Sequence, residues 1–152
     1  MAKASIKIRD SKKEWDAFKK QASKLEGQPR IRVGVLSQES YGGGLTVQDV
    51  ATFHEFGTIH APQRSFIRST YDANIPALTE MVGDAAAKVL AGSDMKKEGG
   101  LIGLWLQAKI QKRITDRIPP PLAQSTIDAK GSDVPLIDTG RLRRSITFEV
   151  IE

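Results

Sequence analysis

A change of hydrophobic period along the chain limits its fold more than any other feature. Ser145-Ile146-Thr147-Phe148-Glu149-Val150-Ile151-Glu152 alternates polar with apolar residues. Arg30-Ile31-Arg32-Val33-Gly34-Val35-Leu36 does the same, with Ile31, Val33 and Val35 on one side. A two-residue period belongs to a half-buried strand. Between these stretches apolar residues recur every three or four positions, first at Ile67, Tyr71, Ile75, Leu78, Val82, Ala85 and Val89. They recur again at Leu101, Leu104, Trp105, Ala108 and Ile114. That is the spacing of one helix face. Strands near both ends with helices between predict an α+β sandwich, an antiparallel sheet packed by long α-helices in a single domain. The 31–36 and 145–151 strands are expected to share that sheet, and 152 residues suit one core.

Local signals set the boundaries. Ser5-Ile6-Lys7-Ile8-Arg9 reads as a first strand. Asp10 or Ser11 then caps a helix over 12–25, with Trp15, Phe18, Ala22 and Leu25 as its apolar face, ended by Gly27 and Pro29. Gly34 suggests a bulge or a close backbone approach. Residues 37–44 read as a flexible loop, because Gly42, Gly43 and Gly44 reach backbone angles closed to other residues. Thr46 is a good N-cap for a helix through Phe56, with Asp49 at its third position and Gly57 beyond its end. Val47, Val50, Ala51 and either His54 or Phe56 are expected on its buried side. Pro76 should kink or split the 67–89 helix. A further helix is placed at 100–117 and stopped by Pro119, Pro120 and Pro121. A short helix over 122–129, a polar loop over 131–135 and a capped turn at Asp138-Thr139-Gly140-Arg141-Leu142 complete the chain. The reading therefore divides one domain into a basic strand–helix segment, 1–28, and a core, 29–152.

The net charge is +5, and it is unevenly spread. Residues 1–35 hold ten Lys/Arg and four Asp/Glu, so the rest of the chain carries −1. A solvated helix face accounts for this, and a nucleic-acid surface is the other reading. The absence of cysteine excludes disulfides and thiolate zinc sites. Met1-Ala2-Lys3-Ala4-Ser5 lacks the apolar core of a signal peptide, and no run of about 18 apolar residues is present. Synthesis in a cytoplasm, with no membrane partner, is the expectation.

Groups with the spacing that catalysis requires do not emerge. His54 and His60 are six apart, whereas helical zinc proteases place two histidines four apart with Glu between them. Gly42-Gly43-Gly44 lacks the lysine of a phosphate-binding loop, and no Gly-x-Ser-x-Gly elbow occurs. Glu80 and Asp84 lie one helical turn apart, a spacing usual for solvated pairs. Neither an enzyme nor a cofactor or metal is expected. Lys109, Lys112, Arg113 and Arg117 form a basic stretch near a helix C-terminus, where the helix dipole favours cations. They are also the candidates for facing DNA.

Three segments in order resemble the phage virion-morphogenesis family of neck, head–tail joining and tail-completion proteins. The first comprises Val33-Gly34-Val35-Leu36, Thr46-Val47, Val50-Ala51 and His54-Glu55-Phe56-Gly57-Thr58. The second is Ala61-Pro62-Gln63-Arg64-Ser65-Phe66-Ile67-Arg68, where many members carry proline in place of Ser65. The third runs through Pro121-Leu122, Ser125-Thr126-Ile127, Lys130-Gly131-Ser132 and Pro135-Leu136-Ile137-Asp138-Thr139-Gly140-Arg141-Leu142 to Ser145-Ile146. The resemblance spans about residues 30–147. It implies a structural virion protein, made in the host cytoplasm, that forms a ring around the DNA channel at the head–tail junction or tail end. Such rings are most often six-fold, so its partners would be copies of itself, neighbouring neck, connector or tail-tube proteins, and packaged DNA in passing. Gly42–Gly44 and Lys130-Gly131-Ser132 are then candidate docking loops, and Asp138-Thr139-Gly140-Arg141 a candidate assembly turn. A small basic nucleic-acid-binding accessory protein is the alternative from a different class.

Overall fold

The computed structural model describes residues 11–26 and 29–151. The Ser5–Arg9 strand expected from the sequence lies outside them, as does Gly27. Among the described residues six helices and two small antiparallel sheets form an α+β fold. The principal sheet joins β1 (Arg30–Val35) to β4 (Ile146–Ile151). Val35 lies opposite Ile146, Val33 opposite Phe148 and Ile31 opposite Val150. These six side chains share the face that packs on α4 (Met95–Thr115), as the alternation predicts. On the other face Arg32 pairs with Glu149 at 2.7 Å. The ladder continues without a bulge through Gly34, whose φ of +151° is one that side-chain-bearing residues rarely adopt.

The short helix α2 (Val47–Phe56) begins where the sequence placed it. Thr46 and Asp49 form a reciprocal capping box: the Thr46 N–H donates to Asp49 Oδ2 (2.8 Å) and the Asp49 N–H to Thr46 Oγ1 (3.1 Å). The bond from the Thr46 hydroxyl, then that from its N–H, holds the Asp49 carboxyl below its ordinary pKa. The buried positions are Val47, Ala51 and Glu55, while Phe56 is exposed. Val47 and Ala51 join Phe66, Ile110, Ile114, Ile118, Leu136, Leu142 and Ile146 in the main core.

Five expectations need correction. Residues 37–44 are not a featureless loop, because β2 (Ser40–Gly42) pairs with β3 (Leu45–Thr46) and Gly43-Gly44 makes the turn. The helix α1 (Lys12–Glu26) does not bury its aromatic pair: Trp15 and Phe18 are exposed and stack with centroids 5.7 Å apart. The helix α3 (Arg68–Leu90) is not split in two at Pro76. Pro76 is exposed, so water can satisfy the Asp72 carbonyl that loses its helical donor. α4 begins at Met95, five residues early, because Asp94 caps it by accepting the Lys97 N–H at 2.8 Å. Its inward face is Gly99, Ile102, Gly103, Ile110 and Ile114, whereas Leu101, Leu104 and Ala108 are exposed. The glycines give the reason. Their missing side chains make room for the sheet, and a Cβ on Gly103 would stand 2.4 Å from the Phe148 ring. Lastly, the short α5 (Gln124–Lys130) starts two residues later than expected, and the turn of α6 (Arg141–Arg144) follows Gly140 without any side-chain cap.

Candidate functional site

Two of the sequence segments singled out above meet at one corner through buried Glu55, and buried Arg64 ties that corner to the proline run just before the third. Glu55, 6 % exposed, sits one turn beyond Ala51 on the inner face of α2. Its carboxylate faces the approach to α3 and accepts four hydrogen bonds. Ser65 Oγ (2.6 Å) and the Arg68 N–H (3.0 Å) donate to one oxygen; the Phe66 (2.8 Å) and Ile67 (2.9 Å) N–H groups donate to the other. These backbone donors have no partner inside the helix, so a carboxylate here replaces an ordinary N-cap. Burial pushes the Glu55 pKa up, but the Ser65 hydroxyl and the Ile67, Arg68 and Phe66 amides outweigh it and hold it below its ordinary value. The Ser65 hydroxyl supplies one of the four donors, which no residue without a side-chain donor could do.

Arg64, also 6 % exposed, makes the second link. Its Nε and Nη2 donate to the Pro120 carbonyl at 3.2 and 2.7 Å, tying the second segment to the proline run. Among the described residues its guanidinium forms no ion pair. Burial lowers its pKa. Close by, His54 buries an Nδ1 with no partner among the described residues. Burial, then the charges of Arg64 and Lys130, lower its pKa. His60 is exposed, and among the described residues no group of three metal-ligating side chains occurs.

The candidate docking loops and the assembly turn have different fates. Gly42, Gly43 and Gly44 form the hairpin tip with φ of +111°, +61° and +81°, surrounded by open space. Arg141 binds this hairpin to the turn: its Nη1 donates to the Ser40 (3.2 Å) and Tyr41 (2.8 Å) carbonyls, and its guanidinium lies 5.1 Å from the Tyr41 ring centroid. Arg141 therefore ties two parts of this chain together. Gly140 takes the left-handed φ of +75° that the turn requires, and Arg144 donates to the Thr139 carbonyl at 3.0 Å. The Asp138 and Thr139 side chains cap nothing.

Lys130 is turned inward. Its ammonium donates to the Val134 (2.8 Å) and Pro135 (3.1 Å) carbonyls, and burial lowers its pKa against the opposing pull of Asp138. Gly131 caps α5 at φ +67°, and Ser132 accepts the Val134 N–H at 3.3 Å. This loop is bonded to itself, and the hairpin tip is the freer of the two.

The basic stretch on α4 is largely answered within the chain. Lys109 lies 5.0 Å from the Trp105 ring centroid, and Arg113 pairs with Asp116 at 3.6 Å. Arg117 makes a two-pronged pair with Asp133 (2.6 and 3.2 Å), whose hydrogen bond and charge raise its pKa. Lys112 forms no ion pair among the described residues.

One further surface was not anticipated. Between α3, α4 and the sheet runs an apolar groove of about 480 Å³, walled by Tyr71, Ile75 and Val82 on one side and Ile102, Leu106 and Val150 on the other. The apolar periodicity of α3 marked one helix face, and part of that face lines this groove. The roles of Glu55 and Arg64 were also missed, although the step of four from Val47 to Ala51 to Glu55 puts all three on one face. Comparison of the chain with known protein families, with curated proteins and with solved structures finds no match.

Proposed function

We propose that this chain is a structural subunit of a ring at the head–tail junction or tail end of a bacteriophage-like particle, where it joins or completes the tail around the DNA channel. The observation that carries this reading is the corner itself. Glu55 joins the first of the segments on which the family resemblance rests to the second, and Arg64 ties the second to the Pro120 carbonyl, next to the third. Their residues thus have architectural work, as the resemblance implies. A head-to-tail contact whose rotation closes gives such a ring, with six copies the commonest count in the family it resembles. The glycine tip at 42–44 is the part of the subunit best placed to adapt to a neighbouring neck, connector or tail-tube protein, since it stands clear of its own core. On this reading the chain is no enzyme and takes no cofactor, and its place is the virion after synthesis in the host cytoplasm.

Electron microscopy of particles assembled with a tagged copy tests the proposal. The expected result is label at the neck or tail end, lost in particles made with the 42–44 tip replaced by a bulky, rigid turn. Particles that carry no label at either place would sink it.

A further inference from the structure

We infer that the cleft between the start of α3 and the end of α4 is a binding site for a phosphate group. Arg64, Arg68 and Arg113 line it together with Gln63, Ser65 and Ser69. The cleft measures about 360 Å³, room for more than a water. One carboxylate, Asp72, also lines it, and Asp116 engages Arg113 from outside at 3.6 Å. Three arginines therefore line a space with one carboxylate in its wall.

Arg64 gives the cleft its direction. A buried charge without a counter-charge is costly, and proteins pair such groups. Arg64 is buried, yet a neutral carbonyl takes only its Nε and Nη2. A guanidinium has five N–H groups in a planar fork, so donors remain for an oxyanion. Arg68 is exposed and forms no ion pair among the described residues. The helix N-terminus is not what attracts the anion here, because Glu55 already takes its amides. Phosphate is favoured over a lone carboxylate because its several oxygens can engage three guanidinium forks together, whereas the Ser65 and Ser69 hydroxyls already donate to Glu55 and to the Ser65 carbonyl. The phosphate can be free or part of a nucleic-acid backbone. This inference stands apart from the ring reading, and either can fail without the other.

The test uses the full chain and the double variant Arg68→Gln/Arg113→Gln. Both side chains lie at the surface, so folding is preserved and circular dichroism checks it, while buried Arg64 is left in place. Inorganic phosphate should raise the melting temperature above that in chloride of equal ionic strength. The double variant should bind phosphate roughly tenfold or more weakly, as loss of charge-assisted bonds implies. A second arm uses a short DNA duplex. Weakened duplex binding in the double variant, but not in Lys109→Gln/Lys112→Gln, identifies a nucleic-acid phosphate; a phosphate effect without a duplex effect identifies the free ion. Equal melting in phosphate and chloride, or an undiminished phosphate effect in the double variant, overturns the inference. So does self-association that the double variant abolishes while phosphate has no effect, because a carboxylate of a second copy would then be the ligand.

Discussion

The two parts of α3 meet opposite surroundings. At its start, Glu55 satisfies the amides of Phe66, Ile67 and Arg68, and Phe66 and Thr70 are buried. From Tyr71 to Val82 the same helix presents apolar side chains to an open groove, with Tyr71 and Val82 each about half exposed. One end is fixed by polar groups with defined directions. The other contributes apolar surface of which Leu78 is buried and the rest lines the groove. Position in a helix thus says little about how firmly a residue is held; the partners decide.

The largest effect is expected at the fixed end. Glu55→Ala leaves several buried donors without an acceptor and should cost on the order of 3 kcal/mol. For a chain of this size that lowers the melting midpoint by roughly 6–12 °C, which calorimetry would read. The same carboxylate sets an acid limit. Its folded pKa lies below the ordinary 4.5, so its stabilising contribution is complete above that value and is lost as pH falls through the folded pKa. Glu55→Gln should flatten the fall of stability with acid in that range. An equal slope in both proteins would show that the corner does not depend on charge.

A smaller loss is expected where α4 meets the sheet. Gly103→Ala would press a methyl against the Phe148 ring, overpacking that costs about 1–3 kcal/mol. Helix propensity returns about 0.8–1.0 kcal/mol, so a net loss on the order of 1 kcal/mol should appear in urea unfolding. The groove should give the least. Val82→Ser should change stability by no more than about 0.5 kcal/mol, as at an ordinary surface position. A loss above 1 kcal/mol would mean that the groove is as closed as the corner, and the contrast between the two parts of α3 would disappear.

The residues that were legible in the sequence are those whose local chemistry leaves one choice. The alternation at Ile146, Phe148 and Val150 fixes a strand face, and Thr46 with Asp49 fixes a helix start. The α4 face was misread because Gly99 and Gly103 have no apolar side chain to count, yet they form the contact surface. The split offered for Pro76 does not occur, because its exposure, which sequence does not display, leaves the freed carbonyl to water. Glu55 and Arg64 look like surface residues by type. Their partners lie 10–13 and 56 positions away, beyond any local pattern.

The pairing of β1 with β4 also sets an order of events as the chain forms. Val35 and Ile146 are opposite one another across 111 intervening steps of sequence, and Arg30 and Ile151 across 121. Contacts this distant must meet a large loop-closure entropy before they gain anything, whereas the adjacent α3 and α4 can find one another early. A chain still emerging from the ribosome can therefore form its helices before its principal sheet, and the inner face of α4 then waits for β4.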